Sequence, residues 1–254
     1  MELTVFVDAR RRASLALEAR YEFLRLLRTP SFVVPTLLFP AMFYLLFGVL
    51  LARRGDGFQA AHYMMAGYTV FGVMMPGLFG FGAVVATERE RGLLTLKCAL
   101  PMPRANFILA KLGMAMLFAL LIFGLLALLG VVAGGVRLDI ASWLRLGVVA
   151  LFGVVPFCAI GLWIGTHVGA QAAPAVINLI YLPMSFLSGL WVPLFALPPL
   201  LQKIAPLWPA YHLSQLAFAA IGQPSAGNAW THAVVLAGVA AAMLALAQRR
   251  LARS

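Results

Sequence analysis

The sequence predicts an all-α integral membrane protein, and three observations carry that prediction. The 254 residues are 63% hydrophobic and only 11% charged, too little polar surface for a soluble domain of this length. Apolar runs of about 18 or more residues recur, long enough to cross ~30 Å of hydrocarbon as helices. The runs are continuous, without the alternation over about ten residues that marks a transmembrane β-strand. Mean hydropathy is +0.96, in keeping with all three.

The first element is an interfacial helix over Ser14–Arg28. Glu18, Glu22 and Arg25 share a narrow polar stripe, and Ala19, Phe23, Leu26 and Leu27 form the apolar side. Arg20 breaks that side, and its long stem can carry the charge to water. Thr29-Pro30 ends the helix and turns the chain into the membrane. Six spans follow, over Ser31–Leu51, Met64–Thr87, Phe107–Val132, Leu144–Val168, Pro174–Pro193 and Thr231–Gln248. Pro35, Pro40 and Pro76 are expected to bend their helices. Gly130/Gly134, Gly161/Gly165 and Gly165/Gly169 are small pairs at i, i+4, and Ala233, Ala237, Ala241 and Ala245 form a small stripe on the last span. Such faces let helices approach closely. No cleaved leader is expected, because a charged stretch precedes the first run and no small-x-small site follows it.

Charge orients the bundle. Fourteen basic residues fall on one face: Arg10, Arg11, Arg12, Arg20, Arg25 and Arg28 before the first span; Arg89, Arg91, Lys97, Arg104 and Lys111 between spans two and three; Arg249, Arg250 and Arg253 at the end. The other face has five, Arg53, Arg54, Arg137, Arg145 and Lys203. The excess predicts cytoplasmic termini and a cytoplasmic charged loop. It also accounts for the net charge of +11 without a nucleic-acid partner.

Several function classes are excluded by what the spans lack. None of the eight acidic residues lies well inside a span, so no mid-membrane acid for a proton- or sodium-driven transporter is in view. There is no G-x-x-x-x-G-K-[ST] phosphate loop and no G-x-S-x-G elbow. His62, His167, His212 and His232 are scattered, and Cys98 and Cys158 have no ligand spacing, so no metal site is predicted. Asn178, Ser185 and Ser188 in span five are the polar candidates for a pathway or an interhelical hydrogen bond.

The stretch from Ala86 to Phe107 interrupts the apolar runs with six charges, at Glu88, Arg89, Glu90, Arg91, Lys97 and Arg104. Thr87 and Glu90 have capping-box spacing and predict a new short helix, or a reset of the end of span two, starting near Glu88. Glu88 and Arg91 can pair on its surface, and Leu93, Leu96 and Leu100 give it an apolar face. Pro101-Met102-Pro103 ends it. Such an element is either a solvated connector or a docking element for another protein.

Ala86-Thr87-Glu88-Arg89-Glu90-Arg91-Gly92, then Leu100-Pro101, Arg104 and Lys111, resembles the cytoplasmic loop of type-2 ABC exporter permeases. The segment Leu182–Leu213 is similar to the family's late segment at Ser188-Gly189, Pro193, Leu197-Pro198, Gln202, Pro206, Pro209 and Tyr211. The sequence departs from the pattern at Leu93, where many members have Thr, and at Thr95, where many have Glu.

The resemblance implies one transmembrane permease domain over residues 1–254, with a cytoplasmic segment at 1–30 and a coupling loop at 88–106. It implies a cytoplasmic ABC ATPase as partner and a second permease copy, with a homodimer expected. ATP and Mg would belong to the ATPase, and this chain would hold no cofactor and do no chemistry. Glu88, Arg89, Glu90 and Arg91 would make the polar contacts to the ATPase. Gly92 would permit close approach, with Leu93 and Leu96 beside it, and the interfacial helix carrying Glu18, Glu22 and Arg25 would touch the same partner. Residues 194–212, rich in proline yet apolar, would form a re-entrant outer hairpin between spans five and six, because irregular backbone at membrane depth needs shelter. Trp191, Trp208 and Tyr211 would form its aromatic belt. The function implied is export of an amphipathic or hydrophobic substrate, such as a drug-like molecule, lipid or glycolipid, across the bacterial cytoplasmic membrane. The rival reading is a membrane scaffold or assembly factor without transport.

Overall fold

The computed structural model describes residues 2–51, 57–93, 96 and 104–251, with side chains for 14–51, 60–93, 96 and 106–250, and every regular element in them is helical. The elements are α1 (Glu2–Leu27), α2 (Pro30–Phe43), α3 (Gly57–Gly77), α4 (Val84–Glu90), α5 (Arg104–Val132), α6 (Ile140–His167), α7 (Ala173–Leu187), α8 (Pro199–Ile204), α9 (Pro209–Ala220) and α10 (Ala229–Leu251). Single 3₁₀ turns at Leu194–Ala196 and Ala205–Leu207 flank α8. Among the described residues, five helical segments are long and apolar enough to cross a membrane: Pro30–Leu51, Ala60–Glu90, Asn106–Val132, Ile140–His167 and Ala229–Arg250. The sixth expected span corresponds to α7, whose 15 residues reach about 22 Å, short of the ~30 Å core.

α1 begins well before Ser14, the expected start. The Thr29 hydroxyl donates to the Arg25 carbonyl at 2.8 Å as α1 ends. Thr29 itself is extended, at φ −104° and ψ 94°, the conformation that a following proline imposes. Two expected bends become something more specific. After Pro40 the first span widens into π turns over Tyr44–Leu51, and after Pro76 the second does so over Leu78–Ala83. Each proline removes one donor from the hydrogen-bond ladder of the α turn before it, and the wide turns follow.

The second span is the hub, buried over most of its length and running without a break from Ala60 to Glu90. It packs on α6 across the predicted glycine pair. A Cβ at Gly161 would lie 2.5 Å from the Gly77 carbonyl oxygen, and one at Gly165 would lie 2.6 Å from that of Gly82. Only glycine allows that approach. The small stripe on the last span behaves differently. The face of α10 turned inward carries His232, Leu236, Ala240 and Ala247, whereas Ala237, Ala241 and Ala245 are exposed. Hydrophobic residues line much of the outside, among them Leu128, Phe152, Leu179 and Val234, as a lipid-facing surface requires.

The ends of the bundle are distinct. The basic end holds α4, the C-terminal part of α1, the start of α5 and the last turns of α10, where Ala247 packs with Leu26, Val85 and Leu162. At the opposite end, α9 folds back among α3, α6 and α10 with most of its residues buried, yet its 12 residues are too few to cross. Gly189, at φ +78°, turns the chain out of α7 toward this segment.

Candidate functional site at the basic end

Successive residues of a helix point about 100° apart, so Glu88, Arg89 and Glu90 leave the end of span two in three directions. Each finds a different internal partner. Glu88 is 1% exposed and its Oε1 accepts from Lys111 Nζ at 3.2 Å and from an Arg25 guanidinium nitrogen at 3.0 Å. Lys111, itself 0% exposed, also lies 3.3 Å from a Glu22 carboxylate oxygen, and Arg25 lies 3.8 Å from the other. Among the described residues, two carboxylates and two bases from α1, span two and α5 thus meet in one cluster. The Lys111 ammonium also sits 4.9 Å from the centre of the Phe107 ring, within cation–π range. Buried charges persist only when paired in this way.

Arg89 reaches the C-terminal end of α6 instead. Its guanidinium donates to the carbonyls of Thr166 and Val168, the second at 3.1 Å. A helix leaves its last carbonyls without intrahelical donors, and a cation there is favoured by the helix dipole. Glu90 accepts from the Ala170 backbone N–H at 2.9 Å. The end of span two is therefore tied to α1 and α5 through Glu88, and to the α6–α7 link through Arg89 and Glu90.

Several sequence expectations need correction here. Thr87 does not cap a new helix: its hydroxyl donates back to the Ala83 carbonyl at 2.8 Å, and span two continues unbroken to Glu90. Glu88 does not pair with Arg91 on a surface, because it faces Lys111 inside. Glu22 belongs to the buried cluster and not to a solvated stripe, while Arg25 stays half-exposed. What faces outward is Arg91, Gly92 and Leu96, the last 63% exposed, with Leu93 half-buried beside them. Gly92 ends the helix at φ +70°, and its N–H donates to the Arg89 carbonyl at 3.1 Å, a left-handed C-terminal stop that favours glycine. Lys97, Leu100 and the Pro101-Met102-Pro103 stop lie outside the described residues, as does the Arg104 side chain.

The pathway candidates separate. Ser185 is fully buried and donates to the Tyr181 carbonyl at 2.7 Å, a local helix bond. Ser188 is also fully buried, at the end of α7. Asn178 is exposed, on a face of α7 shared with Pro174, Leu182 and Phe186.

Lys111 is the residue whose role the sequence reading missed. It was counted only among the loop's basic residues and as a motif match, yet one lysine just inside an otherwise apolar span needs a partner. That requirement was the available signal, and the acids at 22 and 88 were the candidates.

A family model described as ABC-2 type transporter matches residues 15–221, from within α1 to just past α9. The chain is 27% identical over 219 residues to the "Putative transport permease YvfS" of Bacillus subtilis (strain 168), a match covering 85% of this chain and 87% of that protein. The matched region includes the ion cluster, the α6–α7 link and the folded-back helix, all on an apolar multi-pass bundle: the chain belongs to the ABC-2 type transporter family, as a membrane permease.

Proposed function

We propose that this chain is the membrane half of an ATP-driven exporter, powered by a separate ABC ATPase that supplies the ATP and Mg sites. The observation that carries the reading is the buried cluster of Glu22, Arg25, Glu88 and Lys111. It joins α1, span two and α5 at one end, so a force on any of the three is shared by all. The excess of basic residues at that end favours its lying in the cytoplasm, where an ATPase can reach it. The ATPase docks on the outward-facing lip of Arg91, Gly92, Leu93 and Leu96, while Glu88, Arg89 and Glu90 transmit the motion inward.

A second copy of the permease covers the exposed α7 face. An asparagine turned toward lipid is costly, and the Asn178 side chain is relieved by a partner helix or a shared aqueous path. The apolar walls suit an amphipathic or hydrophobic cargo.

The test is co-purification of the full-length permease with its ATPase, followed by ATP hydrolysis and cargo efflux in proteoliposomes. Arg91→Glu with Leu96→Asp is expected to reduce ATPase capture tenfold or more with membrane insertion unchanged. Undiminished capture by that double variant removes the lip from the interface. Normal capture without any efflux favours the scaffold reading.

A further inference from the structure

His212 and His232 are twenty positions apart in sequence and in contact in space. His212 stands in the first turn of α9 and His232 in the first turn of α10. Their Nδ1 atoms are 2.8 Å apart, and the rings are 8% and 6% exposed. Each outer nitrogen faces a backbone carbonyl: His212 Nε2 that of Pro206 at 2.9 Å, and His232 Nε2 that of Ala226 at 2.6 Å.

A carbonyl only accepts, so both Nε2 atoms must carry hydrogen. A neutral imidazole has a single N–H, which leaves both Nδ1 atoms as bare lone pairs. Two lone pairs at that separation repel. One added proton turns the contact into an N–H···N hydrogen bond, and a second added proton would set two N–H groups of two cations against each other. The geometry is met by three ring protons on two rings, and by neither two nor four. A tetrahedral zinc ion, with Zn–N bonds of about 2.0–2.1 Å, would hold the two nitrogens roughly 3.3 Å apart. The observed gap fits a proton.

We propose that His212 and His232 form a binding site for one shared proton, a clip that fastens the folded-back helix α9 to the last span at neutral pH and opens in acid. Among the described residues, the nearby charged and titratable groups have partners of their own. Tyr211 meets both rings edge-on, at 5.4 and 6.0 Å between centroids. On the packed elements, His62 of α3 faces the Arg137 carbonyl, Asp139 at the head of α6 interacts with Ser142, and Arg145 bonds the Ala141 carbonyl and Ser142. Lys203 belongs to α8, before the turn that carries Pro206. Gln215 of α9 accepts from the Ala226 N–H at 2.7 Å and so holds the carbonyl that His232 needs. Burial lowers the proton affinity of His212, so the first proton is held by the bond to His232, and a second proton is opposed by the first.

The test uses the full-length permease in lipid nanodiscs with ¹⁵N-labelled histidine. At pH 7.5 two Nδ1 resonances coupled through one proton are expected, and the coupling is lost by pH 5. Amide exchange across residues 221–232, corrected for intrinsic rate, is expected to rise at least tenfold over the same range. His232→Gln, which cannot titrate, should abolish that rise. Three results overturn the proposal: uncoupled Nδ1 signals at pH 7.5, the same acid-dependent rise in His232→Gln, or stoichiometric zinc binding that shifts both Nδ1 resonances.

Discussion

Both ends of the bundle are held by packed rings, and the basic end adds ion pairs. At the basic end, long charged side chains converge from three helices on Glu88. At the opposite end the fastening is by rings: Tyr63 stacks on Phe218 at 4.3 Å, Phe43 on Trp191 at 5.4 Å and Phe71 on Tyr181 at 4.9 Å. Coulomb attraction falls off as the inverse of distance, whereas ring contacts lose much of their energy within an ångström. Lys and Arg stems also bend to follow a moving partner. The basic end thus adds, to its Phe23–Phe118 ring contact at 4.9 Å, ion pairs of longer reach that the opposite end lacks among the described residues. Under the proposed function this is the end on which the ATPase acts.

Four substitutions test the contrast. Lys111→Met takes the buried ammonium away from Glu88 and Glu22, and is expected to cost about 3–5 kcal/mol. Thermal unfolding of the detergent-solubilised permease, read by loss of the monodisperse peak, checks it. Glu88→Gln combined with Lys111→Met should recover part of the loss, and no recovery would mean that the two side chains are not coupled. At the other end, Tyr181→Phe removes one buried hydrogen bond, to the Phe71 carbonyl at 3.0 Å, and keeps the ring stack. The expected loss is about 1 kcal/mol, independent of salt. Arg25→Ala should be the mildest, at roughly 1 kcal/mol or less, because the guanidinium is half-exposed. Its cost should shrink as salt is raised, and a salt-independent loss would assign Arg25 a packing role instead.

How much of this was readable from sequence depends on how far apart the cooperating residues lie. Five spans could be read from hydropathy, and the Gly161/Gly165 face from spacing alone, because both are local patterns. The capping box at Thr87 and Glu90 is also local, and it misled. A capping box describes a helix that needs a start, and span two is held helical past that point by packing on α6. The four-charge cluster spans positions 22 to 111, and the histidine pair spans two helices joined by a loop. Spacing rules do not reach that far, although a lysine in an apolar run announced that some acid must be near. The alanine stripe of α10 shows the converse: a regular small face records that close approach is possible, not which neighbour uses it.

The wide turns over Leu78–Ala83 have a consequence for the charged cluster a few residues on. One surplus residue in a helical turn rotates everything downstream by about 100°. With plain α geometry throughout, the direction now taken by Glu88 toward Lys111 would be taken by Thr87 or Arg89. The wide turns thereby act as an index mark, selecting from a distance which member of the Thr-Glu-Arg-Glu run is sent into the charged interior and which ones clasp the neighbouring link.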